Sequence, residues 1–163
     1  MANTFSQIYI QVVFAVKGRQ NLIKKEFKDE VYKYITGITR KKNQKLLAIN
    51  GMPDHVHVFL GMNADMHLSI LVKEIKANSS RFINEKRFLK GKFSWQEGFG
   101  AFSYSHSHID RVVKYIINQE KHHQKKTFRQ EYLELLAKFE IDYNPKYLFE
   151  FYDELYAAPT ELK

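Results

Sequence analysis

Cysteine is absent from the 163 residues. That excludes a disulfide framework, a thiolate zinc site and a cysteine nucleophile. Three prolines and seven glycines leave little room for long flexible linkers. No apolar run approaches the roughly 18–20 residues that cross a membrane. Met1 to Gln7 carry neither a basic nor an apolar segment, so no secretory signal is expected. No GxxxxGK[ST] loop occurs, so no nucleotide cofactor is expected. No internal repeat or low-complexity segment breaks the chain. Together these absences make a cytoplasmic protein with no membrane partner the expectation.

What is present describes a folded domain. Apolar residues make up 44% and aromatic residues 15%, which excludes a disordered class. The length suits one domain, or one domain with a tail. Charge is unevenly spread. Residues 1–129 hold 23 basic and 10 acidic side chains, a net of +13. Residues 130–163 hold 3 basic and 8 acidic, a net of −5. A basic body attracts polyanions, of which nucleic acid is the usual one, although a solubilising surface gives the same count.

Hydrophobic periodicity orders the chain. Residues 6–16 are rich in β-branched and aromatic side chains and predict a long buried strand. Phe27, Val31, Tyr34, Ile35 and Ile38 fall at helical spacing and predict a helix over about 24–42. Residues 45–52 and 55–62 predict two strands, with Asn50 to Asp54 as turn chemistry between them. Leu68, Leu71, Val72 and Ile75 predict a helix over about 67–85. Residues 93–104 predict a strand bent at Gly98 and Gly100. Ile109, Val112, Val113, Ile116 and Ile117 predict a third helix over about 109–125, and a fourth comes after it over 128–140.

The order β-α-β-β-α-β is that of an α+β, ferredoxin-like or RRM-like split βαβ fold. Such a fold has an antiparallel sheet with two helices on one face. Here a further helix bearing Tyr115 and a C-terminal helical tail are added. The division expected is 1–127 as the main unit and 128–163 as an extension of the same compact body. This architecture hosts many functions and decides none.

Three patterns carry chemistry. His55 and His57 are i and i+2 in a predicted strand, so both imidazoles project from one face. Such a pair can bind a divalent cation, and it also suits two structural histidines. Tyr115 and Gln119 are one turn apart on the third helix, and His122 continues that face. Tyrosine can act as a nucleophile and a glutamine oxygen can ligate a hard cation. These three residue types also suit a plain half-exposed helix. Arg40, Lys41 and Lys42, then Lys86, Arg87, Lys90 and Lys92, and finally Lys125 and Lys126 form basic clusters. Each is either a phosphate contact or a solvated face. His106 and His108 make a second HxH pair, but ahead of a helix rather than within a strand.

Three stretches resemble one family. Met52-Pro53-Asp54-His55-Val56-His57-Val58-Phe59-Leu60 resembles the metal signature of the single-tyrosine HUH transposases. Trp95-Gln96-Glu97-Gly98-Phe99-Gly100-Ala101-Phe102-Ser103 resembles a second family block. Lys114-Tyr115-Ile116-Ile117-Asn118-Gln119-Glu120-Lys121-His122-His123 resembles a third. The likeness runs over about residues 5–150, in family order. It is closest to the small transposases of IS200-like insertion sequences and their REP-associated relatives.

That resemblance implies cleavage and rejoining of single-stranded DNA beside hairpins at element ends, through a 5′-phosphotyrosine and without ATP. It implies Tyr115 as nucleophile, His55, His57 and Gln119 as metal ligands, and Mg²⁺ or Mn²⁺ as the ion. His122 is an accessory candidate. It further implies a homodimer in which the tyrosine helix of one subunit completes the histidine pair of the other. Three other readings stand beside it: a non-catalytic RRM-like binding module, a related HUH nuclease of replication or conjugation, and a domesticated HUH nuclease.

Overall fold

The structure, a computed structural model, describes residues 3–152. Four strands form one antiparallel sheet: β1 (Ile8–Ala15), β2 (Lys45–Met52), β3 (His55–Met62) and β4 (Gly100–Tyr104). Their spatial order is β2-β3-β1-β4. The two central strands are thus the first and third in sequence, as the split βαβ arrangement requires. Helices α1 (Lys28–Lys41) and α2 (Leu68–Lys86) pack together on one face.

Alternation along the central strands divides the sheet's faces. Val12 and Phe14 in β1, with Val56, Val58 and Leu60 in β3, are all at most 1% exposed. They meet the buried stripes Val31 and Ile35 of α1 and Leu71, Val72 and Ile75 of α2. Both helices complement their own dipoles where the sequence allows. Asp29 and Glu30 open α1, and Arg40 and Lys41 close it. Helix α2 stops at Arg87, which adopts a left-handed conformation at φ 54°.

Residues 93–104 do not form one strand. Only 100–104 join the ladder, and Trp95 makes a single bridge to Val16. Hydrogen bonds to α2 hold the earlier part instead. Trp95 Nε1 donates to Ser79 Oγ at 3.0 Å, and the Phe93 amide donates to Asn84 Oδ1 at 2.7 Å. Gly98 then takes φ +83° to turn the chain into β4.

The helices after β4 cover the second face of the sheet. A 3₁₀ turn over His106–His108 leads into α3 (Ile109–Ile117), then α4 (Gln119–His122) and α5 (Phe128–Lys138). Helix α3 lays Val112 and Ile116 over Ala48 and Phe59. Helix α5 packs on β4 so closely that a Cβ at Gly100 would stand 2.7 Å from the Tyr132 hydroxyl. An RRM-like module would need aromatics exposed on this face for base stacking. Phe59 and Phe102 are instead buried beneath the added helices.

The expected helix over 109–125 is broken at Asn118. Asn50 of β2 donates its side-chain amide to the Ile117 carbonyl at 2.8 Å. That captures an acceptor of the helical ladder, which is a recognised cause of a break. No helix among the described residues is long and apolar enough to cross a membrane.

Candidate metal and tyrosine site

The site begins on β3. His55 and His57 project from the face opposite Val56 and Val58, and both are fully buried. Across the ladder they oppose Ala15 and Val13 of β1, and Met52 and Asn50 of β2. The small or slender neighbours on β1 leave the rings room to reach outward from the sheet. His55 lies flat on Phe128, with ring centroids 3.8 Å apart and planes 1° from parallel. His57 meets the Tyr115 ring edge-on at 5.7 Å.

Each histidine is held through its Nδ1. For His55 the partner is Asp54 Oδ1 at 2.8 Å, and for His57 it is Gln11 Oε1 at 2.6 Å. Gln11 is itself oriented, because its Nε2 donates to the Tyr104 hydroxyl at 2.8 Å. The other nitrogens converge on one carboxylate. Glu131 Oε1 stands 3.2 Å from His55 Nε2 and 3.1 Å from His57 Nε2. His55, His57 and Glu131 bring their ligand atoms close enough to hold one metal ion.

The second oxygen of Glu131 faces the helices. Gln119 Nε2 donates to Glu131 Oε2 at 2.8 Å, and the Tyr115 hydroxyl donates to the same oxygen. Gln119 turns its Oε1 toward His55 Nε2 at 3.1 Å. Tyr115, His55, His57 and Gln119 are therefore gathered around one point.

Within the single chain Tyr115 lies beside His57, ring centroids 5.7 Å apart. The 3₁₀ turn passes directly into α3, and the Asn50–Ile117 bond fastens the end of α3 to β2.

The electrostatics derive from burial and the carboxylates. For His55, burial works against the charged ring, but the Asp54 carboxylate and Glu131 outweigh it and push the pKa up to about 9. For His57, burial dominates and lowers the pKa despite Glu131. Burial also opposes the charge on Glu131. The imidazoles around it prevail and hold it well below the usual carboxylate range. Tyr115 is pushed far above a free phenol by burial and by the Glu131 charge, so its hydroxyl rests protonated.

Four contributors were not legible as site residues: Gln11, Asp54, Glu131 and His123. His123 is buried, with Nε2 3.0 Å from Gln119 Oε1 and 3.1 Å from Glu131 Oε1. His122, the accessory candidate, sits at the rim with 26% side-chain exposure, 3.6 Å from Glu131 Oε2. Position i+4 from Gln119 was the signal for His123. For Glu131 it was a carboxylate within the buried stripe Phe128, Tyr132 and Leu135 of α5. The Thr127–Gln130 capping box fixes where that helix starts, and so where Glu131 points.

The basic clusters separate. Arg40, Lys41 and Lys42 are exposed where α1 turns toward β2, whose Lys45 pairs with Gly61 at the sheet end remote from His55. Lys86, Arg87, Lys90 and Lys92 are exposed between α2 and Trp95. Trp95 bridges Val16, next to the Ala15 that opposes His55. This second cluster is therefore at the same end of the sheet as the site. Lys126 supplies the carbonyl that faces His123 Nδ1 at 2.8 Å. His106 and His108 lie exposed on the 3₁₀ turn, with His108 Nδ1 2.8 Å from Ser105 Oγ.

The family model for IS200-like transposases matches residues 4–119. The chain belongs to that family. A curated relative, the ISDra2 transposase TnpA of Deinococcus radiodurans, is 24% identical over 118 residues, covering 69% of this chain and 84% of its own. A crystal structure described as a candidate transposase from Deinococcus radiodurans R1 superposes with a TM-score of 0.58 at 24% identity, covering 72% of this chain and 94% of that one. A REP-associated tyrosine transposase bound to a REP hairpin superposes with a TM-score of 0.54 at 18% identity, covering 90% of this chain and 88% of that one. At these identities the two structures speak for the fold. The buried His55–His57–Glu131 group and the family together suggest divalent-metal binding by this transposase.

Proposed function

We propose that this transposase cleaves and rejoins single-stranded DNA beside hairpins, with Tyr115 as the nucleophile and a covalent 5′-phosphotyrosine as the intermediate. The observation that carries the reading is the meeting of Tyr115, Gln119, His55 and His57 at one buried carboxylate, Glu131. The hairpin is inferred from the family and from the hairpin-bound relative.

His55, His57 and Glu131 would hold the ion, with Gln119 Oε1 within reach, and Mg²⁺ or Mn²⁺ are the ions the family implies. The donors fit a cation, because one atom each from His55, His57 and Glu131 lies within 4.8 Å of the others. A bound divalent ion supplies Lewis-acid polarisation of the scissile phosphate and stabilises charge developing there.

The chain's own residues do the rest. The Tyr115 oxygen attacks phosphorus, the Tyr–O–P bond forms and the P–O3′ bond breaks. Glu131 Oε2 already accepts the tyrosine hydroxyl and is the group placed to take its proton. The leaving 3′ oxygen takes a proton from solvent and departs as a hydroxyl. Attack by a 3′-hydroxyl on the phosphotyrosine reverses these bonds and reseals a strand. Because the phosphotyrosine conserves the phosphodiester energy, no nucleotide is consumed.

Helix α5 belongs to the same working unit, since it supplies Glu131. Lys86, Arg87, Lys90 and Lys92 are favoured over Arg40, Lys41 and Lys42 as contacts for DNA entering the site. A homodimer would carry two such sites, with the tyrosine helix of one subunit completing the histidine pair of the other as the family resemblance implies; mixing Tyr115→Phe and His57→Ala chains tests that arrangement. The test is incubation of the full chain with labelled single-stranded hairpin DNA from the flanks of its own gene. A metal-dependent covalent adduct is expected, with Tyr115→Phe binding the hairpin but forming none. An adduct from the Tyr115→Phe protein would overturn the reading.

A further inference from the structure

The convergence on Glu131 includes a third imidazole. Its Oε1 is 3.1–3.2 Å from the Nε2 of His55, His57 and His123 alike. All three rings are pinned at Nδ1 by oxygen: Asp54 Oδ1, Gln11 Oε1 and the Lys126 carbonyl, at 2.8, 2.6 and 2.8 Å. The Gln11 amide nitrogen is engaged with Tyr104, so its oxygen is the end presented to His57. An oxygen at Nδ1 fixes the orientation of each ring and turns its Nε2 toward Glu131.

Three imidazole Nε2 atoms and the oxygens of Glu131 and Gln119 thus face one buried point, a setting that favours positive charge among them. An oxygen acceptor behind each ligating imidazole is also the usual outer shell of a metal-bound histidine. His123 is as fully enclosed as the strand pair, at 3% exposure. It lies beyond residues 4–119, which carry the family match.

We propose that His123 and Glu131 are direct ligands alongside His55 and His57, forming a three-imidazole, one-carboxylate centre for a first-row transition ion in preference to Mg²⁺. The inference rests on the reading of His55 and His57 as metal ligands and extends it. Mg²⁺ prefers oxygen donors and retains several waters. This cluster offers mainly nitrogen in a buried setting. Imidazole donors suit the ions from Mn²⁺ to Zn²⁺, and affinity along that series rises by the Irving–Williams order.

Co²⁺ is a suitable probe, because each imidazole bound to it through Nε2 gives one strongly shifted, exchangeable Nδ1–H proton resonance. The full-length protein loaded with Co²⁺ is expected to show three such signals, unchanged by a large excess of Mg²⁺. His123→Asn is expected to remove one signal, leave two, and weaken Co²⁺ binding by about tenfold or more. Two signals in the unaltered protein, or displacement of Co²⁺ by Mg²⁺, would overturn the proposal. The signal count in the unaltered protein stands even if His123→Asn fails to fold. A two-signal spectrum beside intact, Tyr115-dependent adduct formation overturns this inference alone. Absence of Co²⁺ binding overturns it together with the metal role of His55 and His57.

Discussion

The two faces of the sheet put the same strands to opposite uses. On one, Val12, Phe14, Val56, Val58 and Leu60 meet the apolar stripes of α1 and α2. On the other, Gln11, His55 and His57 meet Tyr115, Gln119, His123 and Glu131. Both faces of β3 are equally buried, so burial does not distinguish them; the chemistry of the partner does. A side chain one residue along β3 changes from stabilising the fold to building the site. The polar face is tolerated because the inward atoms of His55, His57, Gln119, His123 and Glu131 each face a polar partner that offsets the cost of desolvation.

The largest expected effect comes from breaking the polar face. His57→Ala removes a ligand and leaves the Gln11 oxygen and Glu131 without their shared imidazole. Adduct formation should fall by about 10²–10³-fold or more, read as initial rate on denaturing gels. In a mixture of Tyr115→Phe and His57→Ala chains, a site built within one chain predicts no recovered cleavage. Recovery would show that the tyrosine crosses between subunits.

The matching change on the apolar face should act on stability instead. Leu60 is fully buried in the core. Leu60→Ala should cost about 2–5 kcal/mol in chemical denaturation while the folded fraction keeps its metal affinity. If Leu60→Ala abolished metal binding in folded protein, the two faces would not be separable as described.

A smaller effect concerns pH. His55 has a folded pKa raised to about 9 against an ordinary 6.5. In metal-free protein its charged form stabilises the fold fully below pH 6.5, and that contribution is lost as pH rises through about 9. A metal ion must displace the same proton, so its affinity should rise over this window. Thermal melts with and without Co²⁺ at pH 6.5 and pH 9 read both trends. A metal-induced shift in melting temperature that shrinks toward pH 9 would contradict the assignment.

The smallest changes concern the exposed basic cluster. Each phosphate neutralised contributes about −0.7 to the slope of log K against log salt for single strands. Lys90→Ala with Lys92→Ala should make the slope for hairpin DNA shallower by about 1. Lys41→Ala with Lys42→Ala, at the remote end, should leave it nearly unchanged. Equal changes from the two pairs would remove the distinction between the ends of the sheet.

The chain's periodicities made most of the scaffold legible. Strands at 45–52 and 55–62 and the helix near 68–86 lie where alternation and 3.6-residue spacing put them. The break at Asn118 was hidden because it depends on Asn50, 68 residues earlier in the chain. The interruption of the strand expected over 93–104 was hidden because it depends on hydrogen bonds that Phe93 and Trp95 donate to Asn84 and Ser79 of α2. His55, His57, Tyr115 and Gln119 were legible from local spacing together with the family likeness. Glu131 was not read as a site residue, because its role depends on α5 folding back over the sheet; its local signal was only a carboxylate within the buried stripe of that helix. His122, expected to continue the Tyr115 face, meets the Tyr115 ring at 5.1 Å from the rim of the site, and His123, one turn on from Gln119, is buried beside Glu131.

The most direct test of the central claim is the identity of the residue joined to DNA. Full-length protein is allowed to react with single-stranded hairpin DNA and metal, the DNA is trimmed by nuclease, and the tryptic peptides are mapped by mass spectrometry. The account predicts a 5′-nucleotide phosphate on the peptide that contains Tyr115, present with metal and absent after chelation. A nucleotide attached to any other residue, or cleavage with no covalent intermediate, would contradict it.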